Sequence, residues 1–121
     1  MRILAADDEA DMRLLLEVAL GMDPAHHVTI VASGEEAIAY ARSGIYDLVL
    51  LDGLMPGLDG VETCRRLKAD PVTATLPVVF LTALNSPESR AAFVGVGAAG
   101  FIEKPFDPFT LTVQLLPFVA P

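Results

Sequence analysis

The sequence predicts an α/β fold: a single doubly wound five-stranded parallel sheet of strand order 2-1-3-4-5, with five helices covering both faces. Three observations carry this expectation. Short apolar runs alternate with segments of helical character five times along the chain, the pattern of strands joined by crossover helices. The runs are bounded by turn formers and can be apolar throughout, as in Leu48-Val49-Leu50-Leu51, which suits strands buried on both faces. Five such units in 121 residues are too few to close a barrel.

Ile3-Leu4-Ala5-Ala6 is the first strand and ends in Asp7-Asp8-Glu9. A helix is predicted over residues 8–22, with Leu15, Val18, Ala19 and Met22 at helical spacing, and Gly21 and Pro24 stop it. The second strand is 28–32. Ser33-Gly34-Glu35-Glu36 then reads as a capping box, with Ser33 as cap and Glu36 reaching back, and the helix runs to 42 and closes at Gly44. The third strand, 48–51, climbs to Asp52 and breaks at once into the loop 53–57. Asp59-Gly60 opens a third helix in which Val61, Cys64 and Leu67 share one face, and Asp70-Pro71 ends it.

Residues 77–81 form a fourth strand that runs into Thr82. Ser86-Pro87-Glu88 starts a helix over 87–96, with Ser86 as cap and Pro87 at the first helical position. Gly95 falls within that helix, and Gly97 and Gly100 are expected in the turn beyond. A short fifth strand, 101–102, precedes Glu103-Lys104-Pro105. The last helix covers 108–118, with Pro117 and Pro121 fraying its end.

Composition bounds the function. A hydrophobic content of 53% with 20% charged residues describes one packed domain spanning residues 1–121. No apolar run approaches the ~20 residues that cross a bilayer. The chain enters its first strand with no charged-then-apolar leader, and its single cysteine, Cys64, permits no internal disulfide and suits a small core position. A cytoplasmic protein is expected. The net charge of −8, with eight scattered Lys and Arg, disfavours direct binding of nucleic acid or an anionic membrane, because phosphate contacts need cations.

The strands of a parallel sheet share one carboxyl rim, where open α/β sheets place ligands. The sequence puts Asp7 and Asp8 after strand one, Asp52 after strand three, Thr82 after strand four and Lys104 after strand five. Strands one and three are neighbours in the 2-1-3-4-5 order, so three carboxylates meet in one cleft and need a neutralising cation. A hard divalent ion such as Mg²⁺ takes oxygen ligands of this kind. Thr82 adds a hydroxyl, and Lys104 adds a point charge suited to phosphate oxygens. Together these are the parts for phosphoryl transfer to Asp52. His26 and His27 fall in a loop on the opposite rim, and no Ser-His-Asp, Cys-His or Walker-type arrangement is present.

The chain resembles the receiver domain of two-component response regulators along its whole length. The matching pieces are Asp7-Asp8, Asp52-Gly53-Leu54-Met55-Pro56-Gly57-Leu58-Asp59-Gly60, Thr82-Ala83 and Lys104-Pro105-Phe106, four motifs in register. The resemblance implies a flavodoxin-like fold and a phosphorylation-dependent switch. Asp52 accepts a phosphoryl group from a sensor histidine kinase or a histidine phosphotransfer protein. Mg²⁺ is held by Asp8, Asp52, the Leu54 carbonyl and, through water, Asp7. Thr82 bonds the phosphoryl group, Lys104 pairs with it, and Phe101 is the switch aromatic.

A cis Lys104–Pro105 bond is also implied. Catalysis is limited to the domain's own phosphoryl transfer and autodephosphorylation. Leu54 and Leu84 stand where many relatives carry polar groups, and Gly95 marks the fourth helix as locally weak, which suits an element that shifts on activation. The apolar run 115–121 points to dimerisation or output-domain contact through the last helix, against a turn packing on its own core. The rival functions are an aspartate-nucleophile phosphatase, which needs a second acid where Leu54 stands, a receiver-like module that takes no phosphate, and a flavin-binding domain.

Overall fold

The computed structural model of the chain describes residues 1–119. Five strands and five helices alternate: β1 (Arg2–Ala6), α1 (Ala10–Leu20), β2 (His27–Val31), α2 (Gly34–Ser43), β3 (Leu48–Leu51), α3 (Gly60–Ala69), β4 (Val78–Thr82), α4 (Pro87–Gly95), β5 (Gly100–Glu103) and α5 (Leu111–Leu115), which a 3-10 turn (Leu116–Phe118) extends. All strand pairs are parallel and the order is β2-β1-β3-β4-β5, as expected. The register aligns Ala6 with Val31 and Leu51, and Leu51 with Phe80. Asp7 and Asp52, one residue further on, therefore leave the sheet at one level.

The period-2 alternation of side chains along the strands sorts the core into two halves. Leu4, Ala6, Val49, Leu51, Val78 and Phe80 face α2, α3 and α4, where Ala37, Ala41, Cys64, Leu67 and Phe93 cover them. Ile3, Ala5, Leu48, Leu50, Val79 and Leu81 face α1 and α5, which contribute Leu16, Ala19, Leu20, Leu111 and Leu115. Local signals set most boundaries. Ser33 Oγ accepts from the Glu36 N–H at 3.2 Å, and Glu36 Oε1 reaches back to the Ala32 N–H at 3.2 Å. Asp59 and Ser86 cap α3 and α4 by accepting from the Glu62 and Ser89 N–H groups.

Four expectations need correction. The first helix begins at Ala10, because Asp7 Oδ1 accepts from the Glu9 N–H at 3.0 Å and holds residues 7–9 in a turn. Its core face is Met12, Leu16, Ala19 and Leu20; of the residues singled out by spacing only Ala19 is buried, whereas Leu15, Val18 and Met22 are exposed. Apolar residues surround this helix, so two stripes fit the period, and the turn that launches it selects between them. His27 is the first residue of β2 and not part of the loop before it, although His26 remains there. Gly100 lies in β5, where its bare Cα makes room for the Phe118 ring; the turn glycine is Gly97, at φ +86°.

The fourth correction concerns the last helix, which is α-helical only over Leu111–Leu115. Upstream, Asp107 Oδ1 accepts from the Phe109 N–H at 2.9 Å, which keeps 107–110 a turn. Downstream, Pro117 has no N–H to continue the ladder, and the chain tightens into the 3-10 turn. Leu115, Phe118 and Val119 pack on the molecule's own core, while Val113 and Leu116 stay exposed, so the described part of the apolar ending, 115–119, is divided between core and surface. Ala120 and Pro121 lie outside the described residues. Among the described residues no helix is long and apolar enough to cross a membrane.

The α1 face gives a direct test. Leu16→Ala removes a fully buried side chain and is expected to cost about 2–5 kcal/mol in denaturant unfolding. Val18→Ala, on the exposed stripe, is expected to change stability by less than about 0.5 kcal/mol; the reverse order would place the other stripe in the core.

Candidate functional site

Backbone pairing aims the acidic side chains. The Asp7 N–H bonds the Val31 carbonyl at 3.2 Å and the Asp52 N–H bonds the Ala6 carbonyl at 3.0 Å, so both residues extend the sheet ladder by one step. Asp7 is 1% and Asp52 5% exposed, while Asp8, at the start of the turn, is the more open of the three. One carboxylate oxygen from each of Asp7, Asp8 and Asp52 lies within 4.8 Å of the others.

Lys104 enters from the far side of the sheet. Its N–H bonds the Thr82 carbonyl at 2.9 Å, and the Lys104–Pro105 peptide that follows is cis. Its ammonium donates to Asp7 Oδ2 at 2.8 Å and stands 3.5 Å from Asp52 Oδ2. The other Asp52 oxygen, Oδ1, accepts from the Leu54 N–H at 3.1 Å. Three carboxylates and one ammonium leave two formal negative charges in a cleft of hard oxygen donors, which fits a divalent cation of the Mg²⁺ type.

These contacts shift the proton affinities. Burial pushes the Asp52 carboxyl above its ordinary value, with help from the Asp7 charge, and the Leu54 N–H and Lys104 only partly oppose it. Burial also pulls on Lys104, downward, but its hydrogen bond to Asp7 and the charges of Asp52 and Asp7 outweigh that and hold the ammonium above its usual value. Both members of the 3.5 Å pair thus move upward, since Lys104 is shared with Asp7 whereas Asp52 is the more desolvated. Cys64, away from the cleft, is pushed up to about 11 by burial, as a core thiol should be.

Of the residues singled out in the sequence, Asp7, Asp8, Asp52 and Lys104 form the cluster. Thr82 is fully buried on β4, and its Oγ1 accepts from the Leu84 N–H at 3.0 Å. The Leu54 side chain points outward and is 59% exposed. Phe101 stands apart on β5, half-buried, with the Arg90 guanidinium 5.1 Å from its ring centroid and paired to Glu103 at 3.0 Å.

Sequence reasoning passed over Arg13 and took Gly60 only as a helix start and a member of the 52–60 motif. Arg13 Nη1 donates to the Asp7 carbonyl at 3.0 Å. A cation so near a helix N-terminus opposes the dipole, and that is the signal that could have marked it. Gly60 opens α3 directly against the Asp52–Gly53 backbone: a Cβ there would overlap the Asp52 carbonyl and stand 2.9 Å from Gly53 Cα.

Residues 3–116 match the response regulator receiver domain. The chain is 42% identical over 115 residues to response regulator PleD of Caulobacter vibrioides, covering 94% of this chain and 25% of PleD. It is 37% identical over 113 residues to the phosphate regulon transcriptional regulatory protein PhoB of Pseudomonas aeruginosa, covering 93% of this chain and 49% of PhoB. The structure is similar to that of the Vibrio cholerae chemotaxis protein CheY4, with a TM-score of 0.90, 31% identity and 98% of each chain covered. The chain thus spans a quarter to a half of the length of these curated relatives.

Two outcomes follow from the cleft. Because the folded-state value of Asp52 is raised, the protonated carboxyl contributes stability that is fully present below 3.8 and is lost as pH rises through the folded value, above which the ionised group opposes folding. Asp52→Asn is therefore expected to raise the melting temperature at neutral pH in the absence of divalent ions, with the gain shrinking as the solution is acidified toward 3.8 and below. Gly60→Ala meets backbone atoms that no rotamer change can move, and is expected to cost about 1–3 kcal/mol or more by denaturant titration.

Proposed function

The chain belongs to the response regulator receiver domain family, and we propose that residues 1–121 form one such domain, a cytoplasmic phosphorylation-dependent switch with Asp52 as its phosphoacceptor. The observation that carries this reading is the buried cluster: oxygens of Asp7, Asp8 and Asp52 within 4.8 Å, with Lys104 held against two of them. The phosphoryl group comes from the phosphohistidine of a sensor kinase or phosphotransfer protein. An Asp52 carboxylate oxygen attacks phosphorus, the P–N bond breaks, and the histidine nitrogen leaves and takes a proton.

Asp8, Asp52, the Leu54 carbonyl and, through water, Asp7 are the ligands this reading gives to Mg²⁺. Bound there, the ion supplies charge to the phosphoryl oxygens as they approach the carboxylates. Lys104 pairs with a phosphoryl oxygen once Asp52 carries the acyl phosphate. Thr82 exchanges the Leu84 N–H for the phosphoryl group, and Phe101 turns inward behind it. The face made by α4, β5 and α5, with Val94, Val113 and Leu116 exposed on it, carries the contact to an output domain or a second copy. Neither nucleic acid nor membrane is contacted directly by a domain of net charge −8.

Leu54 supplies no acid two residues after Asp52, which supports the switch over an aspartate-nucleophile phosphatase. Its exposed position at the cleft also bears on hydrolysis, because an apolar side chain neither orients nor activates water beside the acyl phosphate. Leu84, packed against the core, narrows the same region.

Incubation with Mg²⁺ and acetyl phosphate is expected to add one phosphoryl group by mass, absent in Asp52→Asn; an adduct that survives the substitution moves the acceptor elsewhere. Leu54→Asn and Leu84→Glu are expected to speed dephosphorylation in a single-turnover decay, and unchanged rates would remove the two leucines from control of the lifetime.

A further inference from the structure

The contacts on α4 single out one side chain. Phe93 is the only buried residue of that helix, against three in α2 and four in α3. Its ring stacks on Phe80, with centroids 4.2 Å apart and planes at 18°, and meets Phe101 at 6.1 Å and 44°. Phe80 and Phe101 are register partners on β4 and β5. The three rings are therefore one packed group joining α4 to the edge of the sheet.

The far edge of Phe93 reaches the acidic cleft. A Cβ placed on Gly53, the residue after Asp52, would stand 3.4 Å from Phe93 Cζ, 3.0 Å from Thr82 Oγ1 and 3.4 Å from Leu84 Cδ1. Gly53 is not a glycine for its backbone. The positive-φ glycines among the described residues are Gly57 and Gly97, so Gly53 holds a conformation that any residue adopts. A side chain there would crowd the Thr82 hydroxyl and would lie in van der Waals contact with the edge of the Phe93 ring.

We propose that Phe93 is a positioning residue that couples the Asp52 end of β3 to α4, and that Gly53 is the seat that lets it do so. The coupling rests on the switch reading above and assigns its mechanical path. α4 has no other buried side chain to fix its position, so displacement of Thr82 or of the Asp52–Gly53 backbone is passed to the helix through this ring. A close-packed contact transmits such a shift because neighbouring side chains have no free volume to absorb it. Phe101 moves with the same group through its contact with Phe93.

The test is a double-mutant cycle on beryllium fluoride binding with Mg²⁺, read by calorimetry, together with amide exchange over residues 87–96 and thermal melts of all four proteins. Wild type is expected to bind and to change exchange in α4. Phe93→Leu is expected to bind still, with the α4 change lost, and Phe93→Met repeats the measurement if the leucine variant loses its cooperative melt. Gly53→Ala is expected to weaken binding by crowding the Thr82 hydroxyl, and its effect to differ in the Phe93→Leu background, with non-additivity of roughly threefold or more in the binding constant. Failure of wild type to bind overturns the switch reading and this one with it. Intact binding with an α4 change that survives Phe93→Leu, or coupling seen in the melts but additive in binding, overturns the role of Phe93 alone.

Discussion

The contact between Lys104 and Asp7, made across 97 residues of sequence, is the interaction on which the cleft depends. Two nearly buried carboxylates and a third beside them would repel at this separation, and the cost of desolvating them rises as the rim closes. The ammonium answers part of that charge from within the sheet, bonding one carboxylate and standing close to a second. Its reach requires that β5 lie one strand beyond β4, so that the residue after β5 crosses over Thr82 to the ends of β1 and β3. The negative charge left over suits a hard divalent cation at this rim.

Around that rim the helices on one face of the sheet are held with different strength. On one face α2 and α3 are close-packed, with Gly34 and Gly60 allowing backbones and side chains to approach closely, and Thr63 bonded to the Asp59 carbonyl at 2.7 Å. On the same face α4 rests on a single aromatic side chain. Local stability in proteins follows the density of buried contacts, so α4, with one buried side chain, is the least anchored of the α-helices. A rigid scaffold under Asp52 and a lightly anchored helix beside it are consistent with the proposed switch. The Arg90 bridge to Glu103 and its place over Phe101 add surface contacts of the kind worth about 1 kcal/mol or less.

Most of the cleft was legible in the chain because its residues follow strands whose ends are marked by abrupt changes of chemistry. Asp7, Asp8, Asp52, Thr82 and Lys104 each sit at the carboxyl end of an apolar run, and a parallel sheet gathers such ends on one edge. Arg13 and Phe93 were not legible as parts of the site, and Gly53 and Gly60 were legible only as members of the 52–60 motif. Their roles come from contacts between elements: Arg13 with a carbonyl of the preceding turn, Gly60 with the backbone of a different element, Phe93 with the residue after Asp52. A glycine beside an acidic residue reads locally as a turn former, and an aromatic on an apolar face reads as core. Both readings are true here, and both omit what the residue touches.

By itself the sequence determined the strand order, the crossover pattern, the caps of α2, α3 and α4, and the set of charged residues that share the rim. These follow from period, turn chemistry and handedness, which act over short stretches of chain. The tertiary structure decided which stripe of α1 faces the sheet, that the last helix ends after Leu115, that Gly100 belongs to β5, and that Phe93 meets Gly53. Each of these depends on which atoms arrive from elsewhere to compete for the same space, and steric exclusion between distant segments is not written in any local pattern.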